Sequence, residues 1–201
     1  MTDRVLLPVA FLAVAVACTR TPTASVADSM TPVSPSAVPT SASRASSASL
    51  NAARGRQDVL VNMHDACDPD TFDAAVGPGT CTRSGGVQFS QFIAELTRNG
   101  FAGAWHFAPP TAKVEVGQSF VAVNRGGEVH TFTEVDQFGG GIVPVLNQLA
   151  HVPVVAPECT ALESDDFVAP GGTYHETVDH GGDLKFQCCI HPWMRLEARA
   201  R

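Results

Sequence analysis

The sequence predicts an all-β fold, a β-sandwich with a short helical segment ahead of it. Three observations carry this expectation. Short stretches of alternating apolar and polar residues recur after Gly103. Gly pairs and Pro separate them at the spacing of a sandwich. The 17 Gly and 14 Pro among 201 residues leave little room for long helices.

The elements follow in chain order. Residues 5–17 form an apolar run too short to span a bilayer, which takes about 20 residues. It has the form of a secretory signal, so residues 1–17 are assigned as a signal peptide. Ala15-Val16-Ala17 is a small-residue cleavage site with Cys18 directly after it. This resembles a bacterial lipoprotein signal, which implies lipidation of Cys18 and an anchored protein at the periplasmic or cell surface. A soluble secreted protein cleaved after Ala17 is the alternative. Residues 18–56 form a linker. From 19 to 56 the chain has nine Ser, five Thr, four Pro, eight Ala and no aromatic residue. Such a segment has too little apolar surface to offset the entropy of ordering, so a disordered tether is expected.

Residues 57–102 are expected to be a partly helical extension packed on the domain. Asp68-Pro69 is a helix start and Gly77 a stop, which predicts a helix over 69–76. Phe89, Phe92, Ile93 and Leu96 share one helical face before Gly100, which predicts a helix over 88–99. Strands are expected near Val114–Val116 and over 119–124, 129–135, 173–178 and 184–189. Residues 136–170 are a Gly/Pro-punctuated insertion with room for a short helix near Val145–Ala150.

Charge narrows the partners. The formal net charge is −7, and residues 1–56 hold five Arg and two Asp of the 13 basic and 20 acidic residues. The rest of the chain therefore carries 8 basic and 18 acidic residues, a charge of −10. Nucleic acid is excluded, because phosphate binding needs clustered Lys and Arg. A charge-steered partner would be basic. Glu163, Asp165 and Asp166 form one acidic cluster, read as a solvated face.

The chemistry is concentrated near the C-terminus. Residues 184–194 read Leu-Lys-Phe-Gln-Cys-Cys-Ile-His-Pro-Trp-Met and contain Cys188-x-x-His191-x-x-Met194. A thiolate, an imidazole and a thioether make a soft ligand set. One more His completes the two-His, one-Cys, long-Met arrangement of blue copper. His130, at the start of an apparent strand after Gly126-Gly127, is the candidate. Side chains alternate along a strand. Leu184, Phe186 and Cys188 therefore share the apolar face, and Cys188 rather than Cys189 points inward. Cys188 and Cys189 face opposite ways, so a dinuclear site bridged by two Cys is rejected. No Cys-x-x-Cys-His haem motif occurs.

These residues resemble the cupredoxins, with loop spacing most like amicyanin, over about residues 103–201. The resemblance implies a Greek-key sandwich and one copper ion cycling between Cu(I) and Cu(II). It implies His130, Cys188, His191 and Met194 as ligands. Asn124 would brace the ligand loops by hydrogen bonds. The exposed edge of His191 would be the electron exit, with Pro192 and Trp193 lining the surface for a redox partner. Pro192 and the turn Pro170-Gly171-Gly172 before a strand also fit. The chain departs from the family in its segment 57–102, its long stretch between His130 and Cys188, and Cys189 beside Cys188.

An exported, monomeric electron carrier rather than an enzyme is expected, since no acid/base pair stands out. A copper carrier or storage protein, a metal-free interaction domain and a zinc site are the alternatives. Zinc rarely uses Met. Outside the cytoplasm thiols tend to pair. Apart from Cys18 and Cys188, four Cys remain, and four allow three pairings. Cys67 and Cys81 flank one helix and are expected to pair, which leaves Cys159 with Cys189. The remaining His (64, 106, 151, 175 and 180) are expected to be surface or structural residues.

Overall fold

A computed structural model describes residues 57–201. The signal segment 1–17, the linker 18–56 and Cys18 lie outside the described residues.

The strands are β1 (Val59–His64), β2 (His106–Ala108), β3 (Thr111–Val114), β4 (Ser119–Asn124), β5 (Thr133–Glu134), β6 (Thr173–Thr177), β7 (Gly182–Gln187) and β8 (Arg195–Ala200). They form two four-stranded sheets, ordered β2-β1-β4-β6 and β3-β8-β7-β5. From β2 to β7 every connection changes sheet, so the two layers form together as a β-sandwich. Both sheets are mixed. β1 runs parallel to β4 and β3 parallel to β8, while the other pairs are antiparallel.

Apolar alternation places the core between the sheets. Val61 and Met63 of β1, Phe120 and Ala122 of β4, Leu184 and Phe186 of β7, and Leu196 of β8 are buried in one cluster. Phe186 is its hub. Its ring stacks on Phe132 at 4.5 Å and meets Phe120 edge-on at 5.0 Å.

Register then brings three loops to one end of the sandwich. In the β1/β4 pair Met63 lies opposite Asn124, so both strands end at the same level. In the β5/β7 pair Thr133 lies opposite Gln187, so the approach to β5 sits beside the exit of β7. The chain after Met63, the turn after Asn124 and the loop after Gln187 therefore converge.

The helices match their local signals. α1 (Pro69–Ala75) begins at Asp68, whose side chain accepts the Thr71 N–H at 3.0 Å. α2 (Phe89–Asn99) buries Phe92 and Leu96 and stops at Gly100, whose φ of 76° suits a residue without Cβ. α3 (Pro144–Leu149) lies in the insertion.

Several strands differ from expectation. β1, β2 and β8 were not anticipated. β1 pairs with both β2 and β4, so segment 57–102 supplies a sheet strand as well as two helices. In β8, Leu196, Ala198 and Ala200 face the core, and the small Ala residues give only a weak apolar period. The strand expected over 129–135 is laddered only at Thr133–Glu134, and His130 makes an isolated bridge to Val168. The strand expected over 184–189 ends at Gln187, because the Cys188 N–H turns to the Met194 carbonyl.

The insertion packs on the outer face of β7 at its C-terminal end, from Lys185 to Gln187. Gly140 exchanges backbone hydrogen bonds with Val154 and Ala156, folding the segment back on itself. Gln187 bonds to Gly139 through both its amide oxygen and its nitrogen. The Cys159–Cys189 disulfide fastens the segment there, and Cys67–Cys81 closes the loop around α1.

Phe186→Ala should cost about 3–5 kcal/mol of folding free energy, because it empties the meeting point of three rings. Urea denaturation monitored by circular dichroism measures the loss.

Candidate metal centre

The convergent loops bring His130, Cys188 and His191 together. One ligand atom from each lies within 4.8 Å of the others, and all three residues are buried. The Nδ1 atoms of His130 and His191 lie 3.9 and 3.8 Å from the Cys188 sulfur. Cys188 is the only free cysteine among the described residues. Met194 is fully buried at the end of the same loop, where its N–H donates to the His191 carbonyl at 2.9 Å. Cys188 belongs to the main core and Cys189 to a separate cluster with Cys159 under the insertion.

The loop geometry is built around the sulfur. It accepts the backbone N–H groups of Thr131 and His191, each at 3.4 Å. The Thr131 hydroxyl accepts the Cys189 N–H at 2.8 Å, tying the two ligand segments together. Asn124 donates to the carbonyls of Glu128 and Val168 at 2.7 and 2.8 Å and accepts from Gly126 N–H.

Two carboxylates complete the arrangement. His130 Nε2 is 2.8 Å from Asp65, which follows β1. His191 Nε2 is 3.6 Å from Glu128, which accepts the Trp105 indole N–H at 2.6 Å. Gly126 and Gly127 allow this approach, because a Cβ on Gly126 would overlap the Asp65 carboxylate and one on Gly127 would press on Cys67 and Arg83. Sequence reasoning missed Asp65, Glu128, Trp105 and Thr131. Asp65 is 65 residues from His130 and carries no spacing signal, whereas Glu128, two residues before His130, could have drawn notice.

The electrostatics follow from these contacts. Burial opposes charge on Cys188, but the two imidazoles overcome it and hold the thiol well below its ordinary pKa. Burial also opposes the imidazolium of His130, but Asp65 and then Cys188 raise its pKa to about 9. Asp65 is disfavoured by burial, yet hydrogen bonds from His130, Gly127 and Glu128 lower it to about 2. Burial raises Glu128, against the opposing pull of His191 and Trp105.

One expectation needs correction. His191 is only 3% exposed and Pro192 is buried, so the His191 edge is not open to solvent. The ring of Phe92 lies 6.0 Å from that of Trp193, and Trp193 meets His191 edge-on at 5.6 Å. Trp105 packs 4.6 Å from Phe92 while holding Glu128. Segment 57–102 thus closes over the ligand loop. The other five His lie away from this cluster, with His64 and His106 stacked across β1 and β2 at 5.1 Å.

No protein-family model matches the chain, and no curated protein does. The chain is similar to several solved structures. One is a purple cupredoxin from Nitrosopumilus maritimus, with 14% identity, 72% of this chain and all of that chain covered, and a TM-score of 0.40. Another is amicyanin from Paracoccus versutus, with 12% identity, 74% and 88% covered, and a TM-score of 0.36. A third is plastocyanin from Dryopteris crassirhizoma, with 15% identity, 48% and 89% covered, and a TM-score of 0.32. These neighbours are cupredoxins.

Acid titration should expose the Asp65 contribution. Its pKa falls from 3.8 to about 2 on folding, so its stabilisation is complete above pH 3.8 and is lost as the pH falls through about 2. The melting-temperature gap between the wild type and Asp65→Asn, measured by thermal denaturation of the metal-free protein, should therefore be widest between about pH 5 and 6.5 and close towards pH 2, and it should narrow again as the pH rises through about 9, where His130 loses the charge that Asp65 stabilises.

Proposed function

We propose that the protein binds one copper ion through His130, Cys188 and His191, with Met194 as a weak fourth ligand, and carries single electrons outside the cytoplasm. The observation that carries this reading is the buried two-imidazole, one-thiolate cluster. Its nitrogen-to-sulfur separations of 3.8 and 3.9 Å suit atoms sharing one ion, since such ligand bonds are about 2.0–2.3 Å long. The donor set favours copper, as a long axial Met belongs to blue-copper sites. A copper ion bound there would supply reversible one-electron redox chemistry.

The protein supplies the rest. Two backbone amides and two imidazoles stabilise the thiolate, the form of Cys188 that ligates a metal. The second disulfide takes Cys189 out of competition. Asn124, Thr131 and the register of β5 on β7 hold the ligand loops in place, so the site needs little rearrangement between charge states. Trp193, half-buried and edge-on to His191, offers the contact with a partner in place of the covered His191 edge. The acidic domain favours a basic redox partner. Export and tethering through Cys18 complete the proposal, with a soluble secreted form as the alternative.

Copper loading of the protein tests it. The oxidised form should show intense thiolate-to-Cu(II) absorption and narrow copper hyperfine splitting in electron paramagnetic resonance, and Cys188→Ser should abolish both. A colourless oxidised protein would sink the electron-transfer reading. Loading should also displace the Nδ1 proton of His130, whose pKa is about 9. Isothermal titration in buffers of different ionisation enthalpy should give close to one proton released near pH 7.5, and almost none above about pH 10.

A further inference from the structure

We propose that Asp65 is a positioning residue for His130, and that it makes segment 57–102 part of the metal centre rather than a cover for it. This inference rests on the copper reading above and concerns how that site is oriented and tuned.

The Asp65 side chain is 1% exposed, and both its oxygens are fully engaged by donors. Oδ1 accepts the N–H groups of Cys67 at 3.3 Å and Gly127 at 2.9 Å. Oδ2 accepts Glu128 N–H at 3.0 Å and faces His130 Nε2 at 2.8 Å. Three of these four partners are backbone N–H groups, which cannot reverse. A carboxylate surrounded in this way can only accept, so Nε2 of His130 must carry the proton. When the imidazole is neutral its lone pair then sits on Nδ1, the atom facing Cys188. The carboxylate thus sets both the tautomer and the ring orientation that a metal needs.

The surrounding structure serves this contact. The parallel pairing of β1 with β4 delivers Asp65 to the level of Asn124. The Cys67–Cys81 disulfide anchors the chain two residues on. Gly126 leaves the space that the carboxylate occupies. Glu128 is placed comparably at His191, but its 3.6 Å separation is too long for a hydrogen bond, and Trp105 holds the same oxygen. Its effect on His191 is therefore through charge and is the weaker of the two.

Asparagine at 65 offers one acceptor oxygen and one NH2 where four donors converge. Either the NH2 opposes the N–H groups of Cys67 and Gly127, or it opposes the Glu128 N–H and drives the His130 proton to Nδ1, where it competes with the metal. A buried negative charge near the site also favours the more oxidised ion. Asp65→Asn should therefore lower Cu(II) affinity about 10–100-fold and Cu(I) affinity less. A tenfold change in their ratio raises the one-electron reduction potential by about 59 mV. Glu128→Gln should shift the potential the same way by a smaller amount.

The test uses the full chain in two metal forms. In the unsubstituted zinc-loaded protein, nuclear magnetic resonance should show a His130 Nε2–H signal shifted downfield and slow to exchange with water. In Asp65→Asn that signal should be lost, or move upfield and exchange faster, because an amide oxygen accepts more weakly than a carboxylate, and voltammetry of the copper form should show the raised potential. Absence of the protected Nε2–H in the unsubstituted protein overturns the inference even if the variant fails to fold. So does a blue wild type whose Cu(II) affinity and potential are unchanged by Asp65→Asn. A protein that is colourless with copper, yet shows the signal with zinc and loses it or shifts it upfield in the variant, upholds the role of Asp65 and removes the electron-transfer reading. Failure to bind either metal overturns both.

Discussion

A sulfur held without water is the constraint on which this fold turns. Cys188 is fully buried, and its thiol is nevertheless pushed towards the thiolate. A buried anion needs donors and positive charge close by. Here two backbone N–H groups and two imidazoles provide them. Those groups come from distant parts of the chain, so their convergence demands the strand register of both sheets. The imidazoles need partners in turn, and Asp65 and Glu128 provide them on the far side of each ring. The result is a layered charge arrangement, with carboxylates outside, imidazoles between and sulfur at the centre.

Two segments outside the ligand loops make this possible. The insertion 136–170 engages Gln187 and Cys189, so both faces of β7 are buried at its end, at Phe186 and Gln187, where the strand leads into Cys188. Segment 57–102 gives β1, the Asp65 carboxylate and Phe92, which packs with Trp105 just beyond it as an aromatic cover. A disulfide fastens the insertion to the exit of β7 and another closes a loop within segment 57–102, and both limit the freedom of the unfolded chain. The cover also explains why the His191 edge is closed, and it moves the solvent contact towards Trp193.

Much of this was legible where chemistry or period is local. Cys188, His191 and Met194 lie within one short loop, and period-two alternation distinguishes Cys188 from Cys189. The α1 and α2 boundaries are marked by Asp68-Pro69 and Gly100, and both helices stand close to those marks. The strands that went unseen had weak local signals. β1 runs Val-Leu-Val-Asn-Met-His, where Leu60 is half exposed and blurs the alternation, and β8 relies on Ala198 and Ala200. Both are stabilised chiefly by their sheet neighbours.

The sequence by itself determined the spacing of Cys188, His191 and Met194 in the C-terminal loop, the acidic balance of the domain and, through strand alternation, the inward-facing cysteine. These depend on covalent order and on the two-residue period of a strand. Only the tertiary structure decided which groups stand behind His130 and His191. Asp65 meets His130 because β1 runs parallel to β4, and His191 is closed off where Phe92 of α2 packs against Trp193 of its loop. No local rule encodes such contacts, because a hydrogen bond across 65 residues exists only after the sheets have set their register.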